Sequence, residues 1–352
     1  MSVNNTVENS IENPIGIEGM AFMQYTSARP AELQTLFKRL GMTRVGQHKS
    51  KRISYYEQNE VVFLLNEEKG SFSEKFQQSH GPSISAMGWR VKNAKKAFEL
   101  ALKNGARAYE GQDESLGAKP FPAVYGIGDS LIYFVDNEFD LKAAYTPTGE
   151  FPVPQKGLIR IDHLTNNVPK GEMQKWCEFY AKIFHFKEVR YFDIKGLKTG
   201  LISKVMVSPG YKVIIPINEP TDTKSQIQEY LEEYHGSGIQ HVAFLVSNAI
   251  HTVQELNKDK IEFLDAPPTT YYEALSKRVP KLWEETKKLQ ELSLLVDGDE
   301  AGYLVQIFTK NMIGPIFFEI IQRENHWGFG EGNFQALFDS IERDQMKRGY
   351  LK

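Results

Sequence analysis

The chain has 352 residues, 41% of them hydrophobic and 25% charged, which is typical of an ordinary globular protein of about two domains. A formal net charge of -3 at pH 7 gives no basis for binding nucleic acid or an anionic membrane surface, and no run reaches the roughly 20 apolar residues of a membrane helix. Because the one cysteine, Cys177, cannot form an internal disulfide, we expect a reducing compartment, the cytoplasm.

Two polar stretches predict where the domains begin and end. Residues 1–13 lack the basic and apolar regions of a signal peptide and are predicted to be a disordered leader. Near residues 140–157, three prolines interrupt a polar stretch, and proline fixes the backbone and removes hydrogen-bond donors from a strand. We therefore predict an N-terminal domain over 14–150 and a C-terminal domain over 157–352.

The same order of elements recurs twice in each half: a β-like run, an amphipathic helix and further β-like runs. In the first half, ISAMGWRVKNAKKAFELALKNGA aligns without a gap with IQHVAFLVSNAIHTVQELNKDKI in the second, and IEGMAFMQY resembles IRIDHLTNN. Four such βαβββ modules, paired two by two, resemble the vicinal oxygen chelate, or glyoxalase-like, superfamily. The resemblance implies an α+β protein of two domains, each a curled, barrel-like mixed sheet.

Three residues of the second half are candidate metal ligands. His163 and His241 each lie in an apolar strand-like run and share a face with core residues, although either alone is compatible with a core histidine. Glu319 lies in the middle of the apolar run PIFFEII, where a carboxylate must be desolvated at a cost of several kcal/mol. Either a metal ion or a buried ion pair with Arg323 would offset that cost.

The placement of these residues favours the metal. His241 lies 78 residues after His163, and Glu319 lies 78 residues after His241. Two imidazoles and one carboxylate form the facial triad typical of non-haem Fe(II), which leaves positions open for substrate and O₂. The corresponding positions of the first half are expected to be Gly19, Ala86 and Val135. The remaining histidines are expected to be solvated: His48, His80, His185, His235, His251 and His326.

Two later segments are predicted to enclose the site. Residues 265–300 form a helical insertion in the fourth module, and an insertion of this length commonly serves as a wall or lid. The sequence GFGEGNF, at 328–334, lacks the Lys and Thr of a phosphate loop. We interpret it as a flexible approach to a C-terminal helix that begins at Phe334 and gates the pocket.

Many segments of the second half resemble the 4-hydroxyphenylpyruvate dioxygenase family, among them PINEP, SQIQEYL, GIQHVAF, PPTTYY, YLVQIFTK, IFFEIIQR and GFGEGNFQALFDSIE. The first half resembles that family more weakly, through NPIGIEGMAF and HGPSISAMGWRV. The resemblance implies an Fe²⁺ cofactor with His163, His241 and Glu319 as ligands. It implies catalytic positions at Gln240, Gln306 and Phe334. It further implies substrate contacts from Ser203, Asn218, Gln226, Phe308, Phe317, Phe329 and Phe338.

The family's reaction is the conversion of 4-hydroxyphenylpyruvate and O₂ to homogentisate and CO₂, a step of tyrosine and phenylalanine catabolism. 4-Hydroxymandelate synthase is the nearest alternative, since it uses the same substrate and triad but oxidises the side chain. Pro216 and Phe334 favour the dioxygenase pattern. An extradiol catechol dioxygenase and a metal-free small-molecule binding protein are more remote alternatives. Relatives of this length imply a homodimer or homotetramer.

Overall fold

The computed structural model describes residues 12–111, 116, 120–137, 141–196, 198–265 and 267–351. Most of the predicted leader, residues 1–11, lies outside the described part of the chain. The leader's last residue, Asn13, belongs to the folded structure, because its side chain forms hydrogen bonds with both the backbone N–H and the carbonyl of Ile17.

The strands form two eight-stranded mixed sheets. The first sheet contains β1 (Ile17–Thr26), β2 (Thr43–His48), β3 (Ile53–Gln58), β4 (Val61–Asn66), β5 (Ser83–Val91), β6 (Ala123–Tyr125), β7 (Leu131–Val135) and β8 (Tyr145–Pro147). The second sheet contains β9 (Leu158–Asn167), β10 (Lys187–Lys195), β11 (Gly200–Val207), β12 (Ile214–Pro220), β13 (Gly238–Val246), β14 (Leu295–Gly298), β15 (Tyr303–Phe308) and β16 (Phe317–Glu324).

The order of the strands repeats between the sheets. The first sheet runs β6-β7-β5-β1-β4-β3-β2-β8, and the second runs β10-β11-β12-β9-β13-β16-β15-β14. Each sheet contains an antiparallel pair of module-leading strands in its interior, β1–β5 in the first sheet and β9–β13 in the second. On its other side, each of these four strands pairs with a parallel strand. The predicted fold of paired modules in curled mixed sheets is confirmed.

The helices pack on these sheets or connect their strands. They are α1 (Pro30–Arg39), α2 (Phe72–His80), α3 (Ala94–Lys103), α4 (Met173–Phe184), α5 (Gln226–Tyr234), α6 (Ala249–Lys258), α7 (Thr269–Glu273), α8 (Leu275–Arg278), α9 (Thr286–Glu291) and α10 (Glu331–Arg348), with short 3₁₀ turns at Ile127–Asp129, Lys142–Ala144 and Pro209–Tyr211. In the described ranges, no helix combines the length and apolar character needed to cross a membrane.

Local chemistry explains where several helices begin. The repeated Val-x-Asn-Ala sequence supplies an N-cap twice, because Asn93 accepts a hydrogen bond from the backbone of Lys96, and Asn248 does so from that of His251. The predicted insertion contains α7, α8 and α9, but it ends in the strand β14 rather than in a helix. The C-terminal helix begins at Glu331 and not at Phe334 as predicted, because the left-handed Gly330 serves as its N-cap.

One large apolar core joins the two sheets. It includes buried side chains from both halves of the chain, and Phe63 of β4 packs against Phe244 of β13 with ring centroids 6.0 Å apart. Trp89 of β5 packs edge-to-face on Phe184 of α4 at 4.8 Å. The first sheet therefore stabilises the second directly.

Replacing Phe244 by alanine is expected to lower the free energy of unfolding by about 3–5 kcal/mol, because it leaves a cavity where the two sheets meet. Urea unfolding followed by circular dichroism measures this change. Phe151→Ala is the matched control, since that side chain is 93% exposed and its loss is expected to change the stability by no more than about 0.5 kcal/mol. Equal effects of the two substitutions would contradict a shared core.

Candidate active site

The three candidate ligands lie on three adjacent strands in the middle of the second sheet. His163 of β9 pairs in register with Ala243 of β13, and Ala243 pairs in turn with Glu319 of β16. His241 lies two residues before Ala243, so its side chain faces the same side of the sheet. The sheet topology thus brings together residues that are far apart in the sequence.

The donor atoms of these residues converge on one point. Nε2 of His163 lies 3.1 Å from Oε2 of Glu319, and Nε2 of His241 lies 3.3 Å from the same oxygen. All three side chains are buried, with exposures of 5%, 7% and 2% for His163, His241 and Glu319. In the part of the chain that the structure describes, this group brings one ligand atom from each residue within 4.8 Å of the others. The donor set and geometry fit a divalent metal ion bound by two imidazoles and one carboxylate.

Two β-bulges place a polar side chain beside each histidine. Asp162 and Gln240 are extra residues where β9 and β13 shift register, and each directly precedes a candidate ligand. Nδ1 of His163 lies 2.8 Å from Oδ2 of Asp162, and Nδ1 of His241 lies 3.1 Å from Oε1 of Gln240. When each Nδ1–H donates to its neighbour, the Nε2 lone pair is left to face Glu319.

The electrostatics couple these groups. Burial alone raises the pKa of the Glu319 carboxyl, but the charges and hydrogen bonds of His163 and His241 outweigh burial and hold it below its usual value. Burial lowers the pKa of His163, whereas Glu319 and Asp162 raise it, to about 9. The pKa of His241 is lowered, mainly by burial. Glu319 is therefore a buried anion whose counter-ion is the protonated His163, and a bound metal ion would take the place of that proton.

Arg323 does not pair with Glu319, which was the alternative explanation for this carboxylate. Its Nε and Nη2 atoms lie 2.9 and 2.8 Å from the two carboxylate oxygens of Asp162. Burial raises the pKa of Asp162, but Arg323 and His163 more than compensate and hold it well below its usual value. Glu319 is thus left with the two histidines as its close ionisable partners.

One pocket adjoins the triad, and most of the predicted site residues line it. These are Ser203, Asn218, Gln226, Gln240, Phe308, Phe317, Phe329, Phe334 and Phe338. Ser203 and Asn218 are register partners on β11 and β12, so both reach the pocket from one place in the sheet. Gln306 lies beside the triad, with its Nε2 donating to Oε1 of Glu319 at 3.4 Å. The structure therefore brings the whole predicted set together, while the individual roles stay predictions.

Gln240 reaches the pocket through a β-bulge. Strict strand alternation directs it away from the face of His241, toward the surface. The bulge breaks that alternation, so Gln240 is buried and lines the same pocket as His241.

Two of the histidines expected to be solvated are buried instead. Nδ1 of His48 accepts hydrogen bonds from the backbone N–H groups of Ser50 and Lys51, and Nδ1 of His326 accepts one from Gly328. Both rings fold back onto their own turns, which is a local contact that hydrophobic patterning does not reveal.

The sequence analysis did not identify several residues in or next to the pocket. Thr165 lies two residues beyond His163 and thus on its face, a signal that alternation offered. Phe192 of the edge strand β10 packs edge-to-face on Phe334 at 4.8 Å, and its position carried no sequence signal. Asn333 is fully buried, and its Nδ2 donates to Oε1 of Gln306 at 3.3 Å.

A hydrogen-bonded chain connects the insertion, the C-terminal helix and the triad. The hydroxyl of Tyr271 lies 2.6 Å from Oδ1 of Asn333 and accepts from the backbone N–H of Val296 at 2.7 Å. Asn333 in turn contacts Gln306, which donates to Glu319. The position of α10 therefore influences the orientation of the Gln306 amide.

The first sheet fills the equivalent place with aromatic rings. In the second sheet, Ala243 pairs with His163 on one side and with Glu319 on the other. The corresponding residue of the first sheet is Gly88, which pairs with Phe22 and Tyr133. The expected equivalents Gly19 and Val135 were therefore wrong, while Ala86 agrees with the alignment. The rings of Phe22 and Tyr133 lie 5.9 Å apart, and a Cβ on Gly88 would overlap the Phe22 ring. Steric filling, in addition to the absence of ligand side chains, prevents a metal from binding at this position.

Comparisons with known proteins agree with the geometry. The family model described as "Hydroxyphenylpyruvate dioxygenase, HPPD, N-terminal" matches residues 11–146, and that of the "Glyoxalase/Bleomycin resistance protein/Dioxygenase superfamily" matches residues 160–306. Protein MelA of Shewanella colwelliana is 48% identical over 97% of this chain and 99% of its own length. The 4-hydroxyphenylpyruvate dioxygenase of Legionella pneumophila (strain Corby) is 45% identical over 97% of this chain and 98% of its own.

A solved structure shares the architecture. A mutant of 4-hydroxymandelate synthase from Streptomyces coelicolor superposes with a TM-score of 0.81 and 25% sequence identity. The match covers 94% of this chain and 99% of that one, so the similarity includes both sheets.

Proposed function

The chain belongs to the 4-hydroxyphenylpyruvate dioxygenase family, and on that premise we propose that it converts 4-hydroxyphenylpyruvate and O₂ to homogentisate and CO₂. We propose Fe²⁺ as its metal, with His163, His241 and Glu319 as ligands. The observation that carries the proposal is the convergence of these three buried donors beside a pocket lined by phenyl rings and amides.

Bound Fe²⁺ would supply coordination positions for the keto acid and for O₂, and with them the oxidative chemistry. The protein's own task is to hold the aromatic ring and to exclude water. Ser203 and Asn218 offer hydrogen-bonding groups to a phenol hydroxyl. Phe329, Phe334 and Phe338 close the pocket with apolar surface.

The buried polar groups also predict selectivity for a hydroxylated ring. Ser203, Asn218 and Gln226 are each less than a tenth exposed. The amide of Asn218 already donates to Asn167 and Gln240, but a substrate without the phenol hydroxyl offers no partner to Ser203 and Gln226, which costs about 1–3 kcal/mol for each unpaired group. We therefore propose that 4-hydroxyphenylpyruvate is preferred over phenylpyruvate.

Oxygen uptake by the Fe²⁺-loaded protein with 4-hydroxyphenylpyruvate, with chromatographic identification of the product, tests the function. We expect one homogentisate for each O₂ consumed. Bound iron with no uptake would contradict the proposal and favour a binding protein or a catechol dioxygenase.

4-Hydroxymandelate synthase is a second candidate because a mutant of such an enzyme shares the fold over both sheets. That activity requires the same substrate to bind with its aromatic ring at a different place in the pocket. Pro216 and Phe334, which favoured the dioxygenase pattern in the sequence, both line the pocket. The same product analysis distinguishes the two activities. Hydroxymandelate as the product would contradict the proposed position of the substrate ring but would agree with the proposed metal site.

Replacing Asn333 by alanine is expected to lower kcat by about tenfold and to leave the metal content unchanged. The substitution removes the hydrogen bond that orients Gln306, which is worth about 1 kcal/mol. Steady-state kinetics with metal analysis measure both quantities. Asn257→Ala is the control, since Asn257 is exposed on α6. Loss of metal in the Asn333 variant would mean that this residue supports the triad itself.

The cytoplasmic location and the homodimeric or homotetrameric state inferred from the sequence stay predictions. Sedimentation velocity on the purified protein tests the latter, and a monomer at micromolar concentration would contradict it.

A further inference from the structure

The bulge residue Asp162 has two strong partners. Its side chain is only 3% exposed, and Oδ2 lies 2.8 Å from Nδ1 of His163 and 2.8 Å from Nη2 of Arg323. Its other oxygen, Oδ1, lies 2.9 Å from Nε of Arg323. A carboxylate whose two oxygens each accept a hydrogen bond from one guanidinium has a fixed orientation. It therefore also fixes the imidazole ring of His163, which donates to it.

Arg323 has a second set of contacts, with the segment that leads into α10. Its Nη1 donates to the backbone carbonyls of His326 at 3.1 Å and Gly328 at 2.6 Å. Its guanidinium carbon lies 5.7 Å from the centre of the Phe329 ring. Phe329 in turn lies edge-to-face on the ring of His163, with centroids 5.8 Å apart.

These contacts form a closed circuit. His163 and Asp162 belong to β9 and Arg323 belongs to β16, with β13 between these strands in the sheet. The circuit returns to His163 through Phe329, which also lines the pocket. His241 differs from His163, since its Nδ1 faces the neutral amide of Gln240 and not a carboxylate. The two histidines therefore differ in how firmly they are held.

We propose that Asp162 and Arg323 are positioning residues that hold the His163 ring and residues 326–329 as one unit. The ion pair then determines both how tightly the metal is retained and how firmly residues 326–329, which lead into α10, are held. This inference rests on the proposed metal site. It assigns a role to the residue that first served as an alternative partner of Glu319.

The test compares two variants with one control. Arg323→Met removes the guanidinium but leaves Asp162 buried without its cation. The double variant Asp162→Leu with Arg323→Met removes both charges, and apolar replacement of a buried ion pair commonly preserves folding. Arg160→Met is the control, because Arg160 lies on the same strand β9 and is exposed.

Three readouts apply to each protein. The first is the rate at which Co²⁺ passes from the loaded protein to a chelator, and the second is the ligand-field absorption of bound Co²⁺. The third is hydrogen exchange at the backbone amides of Gly328 and Phe329. We expect both variants to release Co²⁺ at least about tenfold faster, with a changed spectrum and faster exchange at these amides. Arg160→Met should match the unmodified protein.

A folded double variant with unchanged metal release overturns the proposal, and so does faster release with unchanged exchange at residues 328 and 329. These outcomes remain distinct from failure of the proposed function. If the triad itself is wrong, Glu319→Ala keeps its metal. If only the positioning role is wrong, Glu319→Ala loses metal and the double variant does not.

Discussion

Replacing Glu319 by alanine is expected to abolish metal retention and to reduce turnover of 4-hydroxyphenylpyruvate to background. Its carboxylate is the point on which both imidazoles converge, with Oε2 at 3.1 and 3.3 Å from the two Nε2 atoms. Loss of an outer partner of a ligand already costs about 10–100-fold in metal affinity, so loss of a ligand should cost more than about 100-fold. Iron content after dialysis against a chelator, measured together with oxygen uptake, checks both expectations.

Glu324→Ala is the matched control for this experiment. Glu324 lies at the end of the same strand, β16, and is partly exposed, with a hydrogen bond from Gln322. We expect that variant to bind iron and turn over normally. Full activity of an iron-free Glu319→Ala protein would refute the metal assignment.

Replacing Gly330 by alanine is expected to lower kcat by about 10–100-fold while the protein still binds iron. Gly330 is the N-cap of α10, with φ of 79°, and a Cβ there would overlap the side-chain amide of Gln306. The amide must move away from Glu319, or the start of the helix must move away from the pocket. Displacement by about 1 Å at a reacting centre has effects of this size. Steady-state kinetics and iron analysis of the same preparation show whether kcat falls while the iron content stays unchanged.

Gly349→Ala separates this steric effect from backbone strain. Gly349 is the C-cap of the same helix, with φ of 77°, and a Cβ there would meet no atom within 4 Å. Both substitutions therefore incur the left-handed strain of about 1–2 kcal/mol, and only one of them displaces Gln306. Comparable loss of kcat in the two variants would show that helix stability, and not the Gln306 contact, limits turnover.

The ligands were predictable because each one breaks a simple rule. A carboxylate within PIFFEII and histidines on apolar strand faces are costly residues, and the repeat offers an internal comparison that lacks them. The module repeat likewise predicted that each half of the chain forms a mixed sheet of two paired modules, which is the architecture observed. Both inferences depend on the pattern of hydrophobic residues, which is visible in the sequence.

The register was less predictable. The two bulges that turn Asp162 and Gln240 toward their histidines depend on how β9 and β13 pair, and one unpaired residue reverses the face of a side chain. The strand register also places Phe22 and Tyr133, and not Gly19 and Val135, at the equivalent position of the first sheet.

The sequence by itself determined the module repeat and the three donors, because these depend on residue type and spacing, and the family resemblance implied which residues line the pocket. Tertiary structure alone decided that Arg323 binds Asp162, that Asn333 reaches Gln306, and that the N-cap of α10, Gly330, lies against that amide. These contacts join residues of different elements, and their geometry depends on how the strands and helix pack in three dimensions. Spacing along the chain carries no record of that packing.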